Sequence, residues 1–198
     1  MKKIICNDCC GAWIYKYVLK ETYSTPFIWS RIHYDEFFEL IKNFDKILFN
    51  EFILEKDDDE LKTFNINVSN IHLHYIHYIF DSNCNELQKK NGEVRYNKIW
   101  EYVVDKYTER LDKMLTNTEK PIFIFHCDKN YIKLFGRYDY IFKIIEYVKI
   151  NNINLLLLSD MEFSNLPTNI KYIHFNEKDF VKDILNNSIK IKEFINNF

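Results

Sequence analysis

Six residues near the start of the chain, Cys6-Asn7-Asp8-Cys9-Cys10-Gly11, hold three of its five cysteines and one of its three glycines. Thiols in such density fit three chemistries: a nucleophile, a metal or redox site, or small apolar packing. Cys9 is the best placed to be a nucleophile. It falls at the first turn of an expected helix, where unsatisfied N–H groups and the helix dipole favour a thiolate. The Cys10 and Gly11 amides would then face a developing oxyanion, and Gly11, lacking a Cβ, allows close approach. Cys6-x-x-Cys9 has redox spacing, and Cys6, Cys9 and Cys10 with His126 or Cys127 could bind a metal. No second C-x-x-C or spaced His pair completes a structural metal site, and no metal is expected.

A base and an orienting carboxylate must come from elsewhere in the chain. "PIFIF" at 121–125 ends in His126-Cys127-Asp128, and "IHLHYIHYIF" at 71–80 carries His72, His74 and His77. His126 or His77 is the candidate base and Asp128 the candidate orienter. On a strand His72 and His74 share one face and His77 takes the other. Arg31 could hold an anionic group. A single histidine or arginine is more often a surface or satisfied core residue, so convergence in space decides its role.

The elements that would bring these groups together follow from periodicity. Residues 2–6 read as a buried strand and 11–19 as a helix, with Asn7 or Asp8 as cap. Tyr34 to Phe44 is strongly amphipathic. Residues 46–54 and 62–68 read as strands flanking the acidic run at 55–60, a hairpin insert. Asn97 to Leu115 places Ile99, Val103, Tyr107, Leu111 and Leu115 on one helical face. Strand 121–125, a helix at 138–149, strands at 153–159 and 171–175, and a helix from about Lys178 complete the pattern. Strands alternating with helices imply an α/β fold: a single-domain open, mostly parallel sheet over residues 1–198, with helices on both faces and a small irregular or hairpin insert near 46–80. Ligands of such sheets bind outside the carboxyl ends of the strands, where strand order reverses. That rule collects Asn7, Asp8, Cys9, His126, Asp128, Asp160 and His174 at one edge.

Composition narrows the classes. In 198 residues, 47% are hydrophobic and 17% aromatic, enough for one well-buried core. A net charge of −2 gives no footprint for nucleic acid. There is no apolar run of about 18 residues for a membrane span and no signal-peptide core, so a cytoplasmic protein with reduced thiols is expected. Three glycines leave no room for a dinucleotide fingerprint, and no cofactor is expected.

Three stretches carry a family resemblance. "IICNDCCGAWIY", "YSTPFIWSRIHYDEFFELIKNFD" and "IHLHYIHYIF" resemble an uncharacterised bacterial family labelled exopolysaccharide biosynthesis protein, a domain of unknown function. Its pattern is I-S-N-N-C-x-G-G, then T-P-F or S-P-F, then H-[FY]-x-H-[YF]. These become Cys6 to Gly11, Thr25-Pro26-Phe27 and His74 to Tyr78 here. Trp100 and Arg110 match a later helical segment. Cys9 falls on the family cysteine; Cys6 and Cys10 fall where other residue types are usual, and Ala12 replaces a second glycine. Related families are labelled papain-like cysteine peptidases or capsule acyltransferases. The resemblance implies a cell-surface polysaccharide context. The residues and the resemblance together lead to an expected acyltransferase or esterase with Cys9 as nucleophile, acting on a carbohydrate or an activated acyl or sugar precursor. A papain-like peptidase or amidase is the second reading. The third is a non-catalytic carbohydrate- or partner-binding protein using Trp13, Trp29 and Tyr34.

Overall fold

The computed structural model describes residues 2–21, 25–56, 64–75, 92–175 and 179–197. His77 and Cys84 lie outside them, as does most of the acidic run.

β1 (Lys3–Cys6), β6 (Pro121–Cys127), β7 (Leu155–Ser159) and β8 (Ile170–His174) form a parallel sheet in that order. The side chains alternate between two cores. Ile5, Phe123, Phe125, Leu155 and Leu157 enter one. Ile4, Cys6, Ile122, Ile124, Leu156 and Leu158 enter the other. Burial on both faces is why β1, β6 and β7 read as apolar runs, whereas the edge strand β8 exposes Lys171 and His174. The second core is closed by α1 (Cys10–Trp13), its π-helical continuation Ile14–Leu19, α6 (Phe180–Asn186) and α7 (Ser188–Asn196).

The first core holds the apolar stripes of α2 (Tyr34–Asn43), α3 (Gly92–Thr116) and α5 (Tyr138–Ile150). On α3, Tyr107, Leu111 and Met114 are buried, whereas Leu115, expected on that face, is exposed. Arg110 takes part of the buried surface instead. A short helix absent from the sequence reading, α4 (Lys129–Phe135), follows β6 and ends at Gly136 in a left-handed conformation (φ 65°).

The expected hairpin insert is larger than a hairpin. β3 (Phe52–Lys56), β4 (Phe64–Val68) and β5 (Ile71–Tyr75) form an antiparallel meander, and β2 (Ser30–Arg31) extends it to the order β2-β5-β4-β3. Ser69 and Asn70, both at positive φ (51° and 66°), make the two-residue turn between β4 and β5. Ile66 faces Leu73 and Val68 faces Ile71, all four buried in the first core. Asn67 and His72 alternate to the other side.

Two sheets, one parallel and one antiparallel, thus share a core within an α/β fold. Among the described strands the parallel order follows chain order without a reversal. The sequence-predicted edge therefore lies where β1 and β6 end together beside the second sheet, not at a switch point.

Candidate functional site

Asn7 positions everything else. It follows the last residue of β1, and its side chain grips the β6 backbone: Nδ2 donates to the His126 carbonyl (2.9 Å) and Oδ1 accepts from the His126 N–H (2.7 Å). Its own carbonyl accepts from the Ile32 N–H (2.9 Å), which ties in β2. Asn7 therefore joins the ends of three strands and is itself buried.

Asp8 is the electrostatic centre. Its Oδ2 meets His126 Nδ1 at 3.1 Å, its Oδ1 accepts from the Cys9 N–H at 2.7 Å, and Arg31 Nε stands 3.7 Å from Oδ1. Burial alone would raise its pKa. The hydrogen bond and charge of His126, then Arg31 and the Cys9 amide, outweigh that and hold the carboxyl well below the usual carboxylate range. Asp8 is ionised at neutral pH. With its carboxylate at Nδ1, a neutral His126 carries its proton there and its lone pair on Nε2. The imidazole is 11% exposed and lies against the Phe180 ring (5.0 Å between centroids).

Cys9 is the N-cap residue of α1 and has 9% of its surface exposed. Burial raises the thiol pKa strongly; the Asp8 carboxylate, as charge and as hydrogen-bond acceptor, raises it further, and Arg31 opposes this only in part. The resting residue is a thiol. This corrects the expectation of a helix-stabilised thiolate: the nearest full charge is the Asp8 anion, and that charge together with burial outweighs the helix start.

Gly11 is also corrected. Its N–H approaches the Asp8 carbonyl (3.4 Å), so it does not stand ready for an oxyanion. A Cβ at this position would meet Cys6 Cβ at 3.1 Å and Ile28 Cγ2 at 3.3 Å, so the glycine serves the packing of α1 on β1. Cys10 and Cys6 lie behind the loop, fully buried, with their sulfurs 2.8 Å apart. The pair is thus Cys6–Cys10, not the Cys6–Cys9 pair that redox spacing suggests. Burial pushes the Cys127 thiol up to about 12 against a hydrogen bond to Ser159.

The orienting carboxylate expected at Asp128 is supplied by Asp8. Asp128 caps α4, accepting from the Tyr131 N–H at 2.7 Å, while its own N–H donates to the Tyr34 hydroxyl at 3.2 Å. Tyr34 is buried in the core, which removes it as a ligand-stacking surface. Asp160 and His174 lie further along the sheet edge in local contacts. Asp160 accepts from the Lys129 N–H (3.1 Å), and His174 Nδ1 pairs with the Tyr172 hydroxyl (3.0 Å).

A second polar group adjoins the first through β2, where Arg31 stands opposite His74. His74 lies edge-on to His33 (5.3 Å), and His33 Nδ1 hydrogen-bonds the Tyr131 hydroxyl. His72 Nδ1 meets Glu36 Oε1 at 2.6 Å. Burial lowers the His33 pKa, so His33 is neutral at pH 7. Sequence reading missed His33, Glu36 and Tyr131. One signal was available, a histidine placed just before a strongly amphipathic helix.

Among the described residues no three His, Cys, Asp or Glu side chains are placed to hold a metal ion. Two surface cavities, of about 650 and 610 Å³, open beside Phe44 and Asn154 and beside Glu36 and Asn70. Neither is lined by the Asp8–His126 group, which is identified by its polar contacts instead.

A family profile, the domain of unknown function DUF1919, matches residues 2–154. The chain belongs to that family. The match takes in the Asn7–Gly11 loop, Arg31, the β5 histidines and His126. No curated protein and no solved structure matches the chain. No helix among the described residues is long and apolar enough to cross a membrane.

Proposed function

We propose that this DUF1919 chain is an acyl-transfer enzyme, an acyltransferase or esterase, working on a hydroxyl of a carbohydrate or of its activated precursor in a cell-surface polysaccharide context. One observation carries the reading: the 3.1 Å contact between an ionised Asp8 and His126 Nδ1 at the joint carboxyl end of β1 and β6. A part-buried carboxylate fixed on Nδ1 orients the ring and stabilises the imidazolium, the arrangement a general base needs. His126 Nε2 takes the proton of the attacking hydroxyl or water as oxygen adds to the acyl carbon. The imidazolium then returns that proton to the leaving group as the tetrahedral intermediate collapses. Arg31, beside Asp8, is the cation that faces developing negative charge.

A covalent route through Cys9 is the second reading, favoured by the shared position of the thiol and His126 on Asp8. Sγ would attack the acyl carbon while its proton passes to the Asp8–His126 pair, and the thioester would then be cleaved by water or a sugar hydroxyl. The same step on an amide gives the peptidase or amidase reaction.

Hydrolysis of p-nitrophenyl acetate, and acetyl transfer from it to a panel of sugars, test both routes. The direct route predicts a loss of about 100-fold or more in His126→Asn, with activity retained in Cys9→Ser. Loss in Cys9→Ser with a trapped acyl-enzyme selects the covalent route. Equal background rates in wild type and both variants would refute acyl transfer and leave carbohydrate binding.

A further inference from the structure

The Cys6 and Cys10 sulfurs are 2.8 Å apart, closer than two thiols rest in ordinary contact and less than about 1 Å longer than a disulfide bond. Both residues are fully buried at the base of the Asn7-Asp8-Cys9 loop, one ending β1 and the other opening α1. The approach is built in. Gly11 lets α1 press against Cys6, and the Asn7 clamp on His126 fixes the loop between the two cysteines.

We infer that Cys6 and Cys10 form a reversible disulfide that closes the loop carrying Asp8 and Cys9, leaving Cys9 as a thiol. The oxidant is a peroxide. One cysteine sulfur attacks a peroxide oxygen, breaking the O–O bond and giving a sulfenic acid and water. The partner sulfur then displaces the sulfenic oxygen as a second water. Two thiols and one hydrogen peroxide thus give one disulfide and two waters, the sulfurs losing two electrons and two protons. A dithiol reductant reverses the step by exchange. Full burial makes the pair slow to react and shields it from further oxidation. The inference concerns the loop's covalent state and does not depend on the acyl-transfer reading.

The full chain is treated with hydrogen peroxide while folded, then unfolded and alkylated, and the tryptic peptide Ile4–Lys16 is sequenced by mass spectrometry. The expected product carries a Cys6–Cys10 disulfide and a single alkyl group, on Cys9, and dithiothreitol restores three alkylated cysteines. The same disulfide forms in Cys9→Ser, a variant that leaves both paired sulfurs in place. The oxidised chain melts about 4 °C or more higher than the reduced one, because the cross-link restrains the unfolded state. Three alkylated cysteines after peroxide, a disulfide that includes Cys9, or a lower melting midpoint on oxidation would each overturn the inference.

Discussion

The two sheets handle polar residues in opposite ways, and the difference locates the chemistry. The parallel sheet is apolar on both faces, so its reactive groups sit beyond the strand ends, at Asn7, Asp8 and Cys9 after β1 and at His126 where β6 finishes. The antiparallel sheet buries Ile66, Val68, Ile71 and Leu73 on one face, so His72 and His74 can stand within a strand on the other. In the first region a single part-buried carboxylate gathers a histidine, an arginine and a thiol. In the second, histidines are spread along a ledge and take partners from α2 and α4. The first region is concentrated and shielded; the second is distributed and wetter. Substitutions in the first should therefore cost far more.

The largest effect is expected from His126→Ala. It leaves the part-buried Asp8 carboxylate with Arg31 and the amide and thiol of Cys9 as its remaining partners. A loss of about 3 kcal/mol in stability by urea denaturation is expected. A loss below about 0.5 kcal/mol would mean that the pair is not shielded and would erase the contrast between the two regions.

Gly11→Ala comes next. Its Cβ must displace the Cys6 side chain or Ile28, for a cost of about 1–3 kcal/mol in the same assay. Unchanged stability would show that α1 can move away from β1.

Asp8→Asn acts on pH dependence as well as on Cys9. A carboxyl with a depressed folded pKa contributes stability that is fully present above its unfolded value near 4. That contribution is lost as pH falls from there through the lower folded value. Wild type should therefore lose stability between about pH 5 and pH 2, and Asp8→Asn should show a flatter acid limb. Removing the anion also removes one of the groups that raise the Cys9 thiol pKa, so iodoacetamide should label Cys9 several-fold faster at pH 8 than in wild type. An unaltered labelling rate would show that burial alone silences the thiol.

The smallest effect is expected on the ledge. His72→Gln loses a part-exposed contact with Glu36 and should cost less than about 1 kcal/mol. A larger loss would place a second shielded centre there and remove the distinction between the two sheets.

The parallel sheet and its terminal residues were legible chiefly because β1, β6 and β7 are short apolar runs with polar residues at their ends. Cys9 and His126 fall on one edge for that reason alone. The partnership was not legible. Asp128 is two residues from His126 in sequence, yet its backbone enters α4 and its carboxylate turns to the Tyr131 N–H. Asp8, 118 positions away, reaches the imidazole because Asn7 fixes the β1 end against β6. The state of Cys9 was hidden for a similar cause. A helix start predicts a lowered thiol pKa, but burial and the neighbouring carboxylate outweigh it. β2 was missed because two residues are too short for any periodicity, and it is this strand that carries Arg31 to the site.

The central claim is that an ionised Asp8 holds the proton of His126 on Nδ1. Long-range ¹⁵N–¹H correlation spectra of the two ring nitrogens, recorded on wild type and Asp8→Asn above the imidazole titration, read this directly. The account predicts a protonated Nδ1 and an unprotonated Nε2 in wild type, with that preference weakened in Asp8→Asn. A wild-type ring protonated on Nε2, or spectra that do not change when Asp8 is replaced, would contradict it.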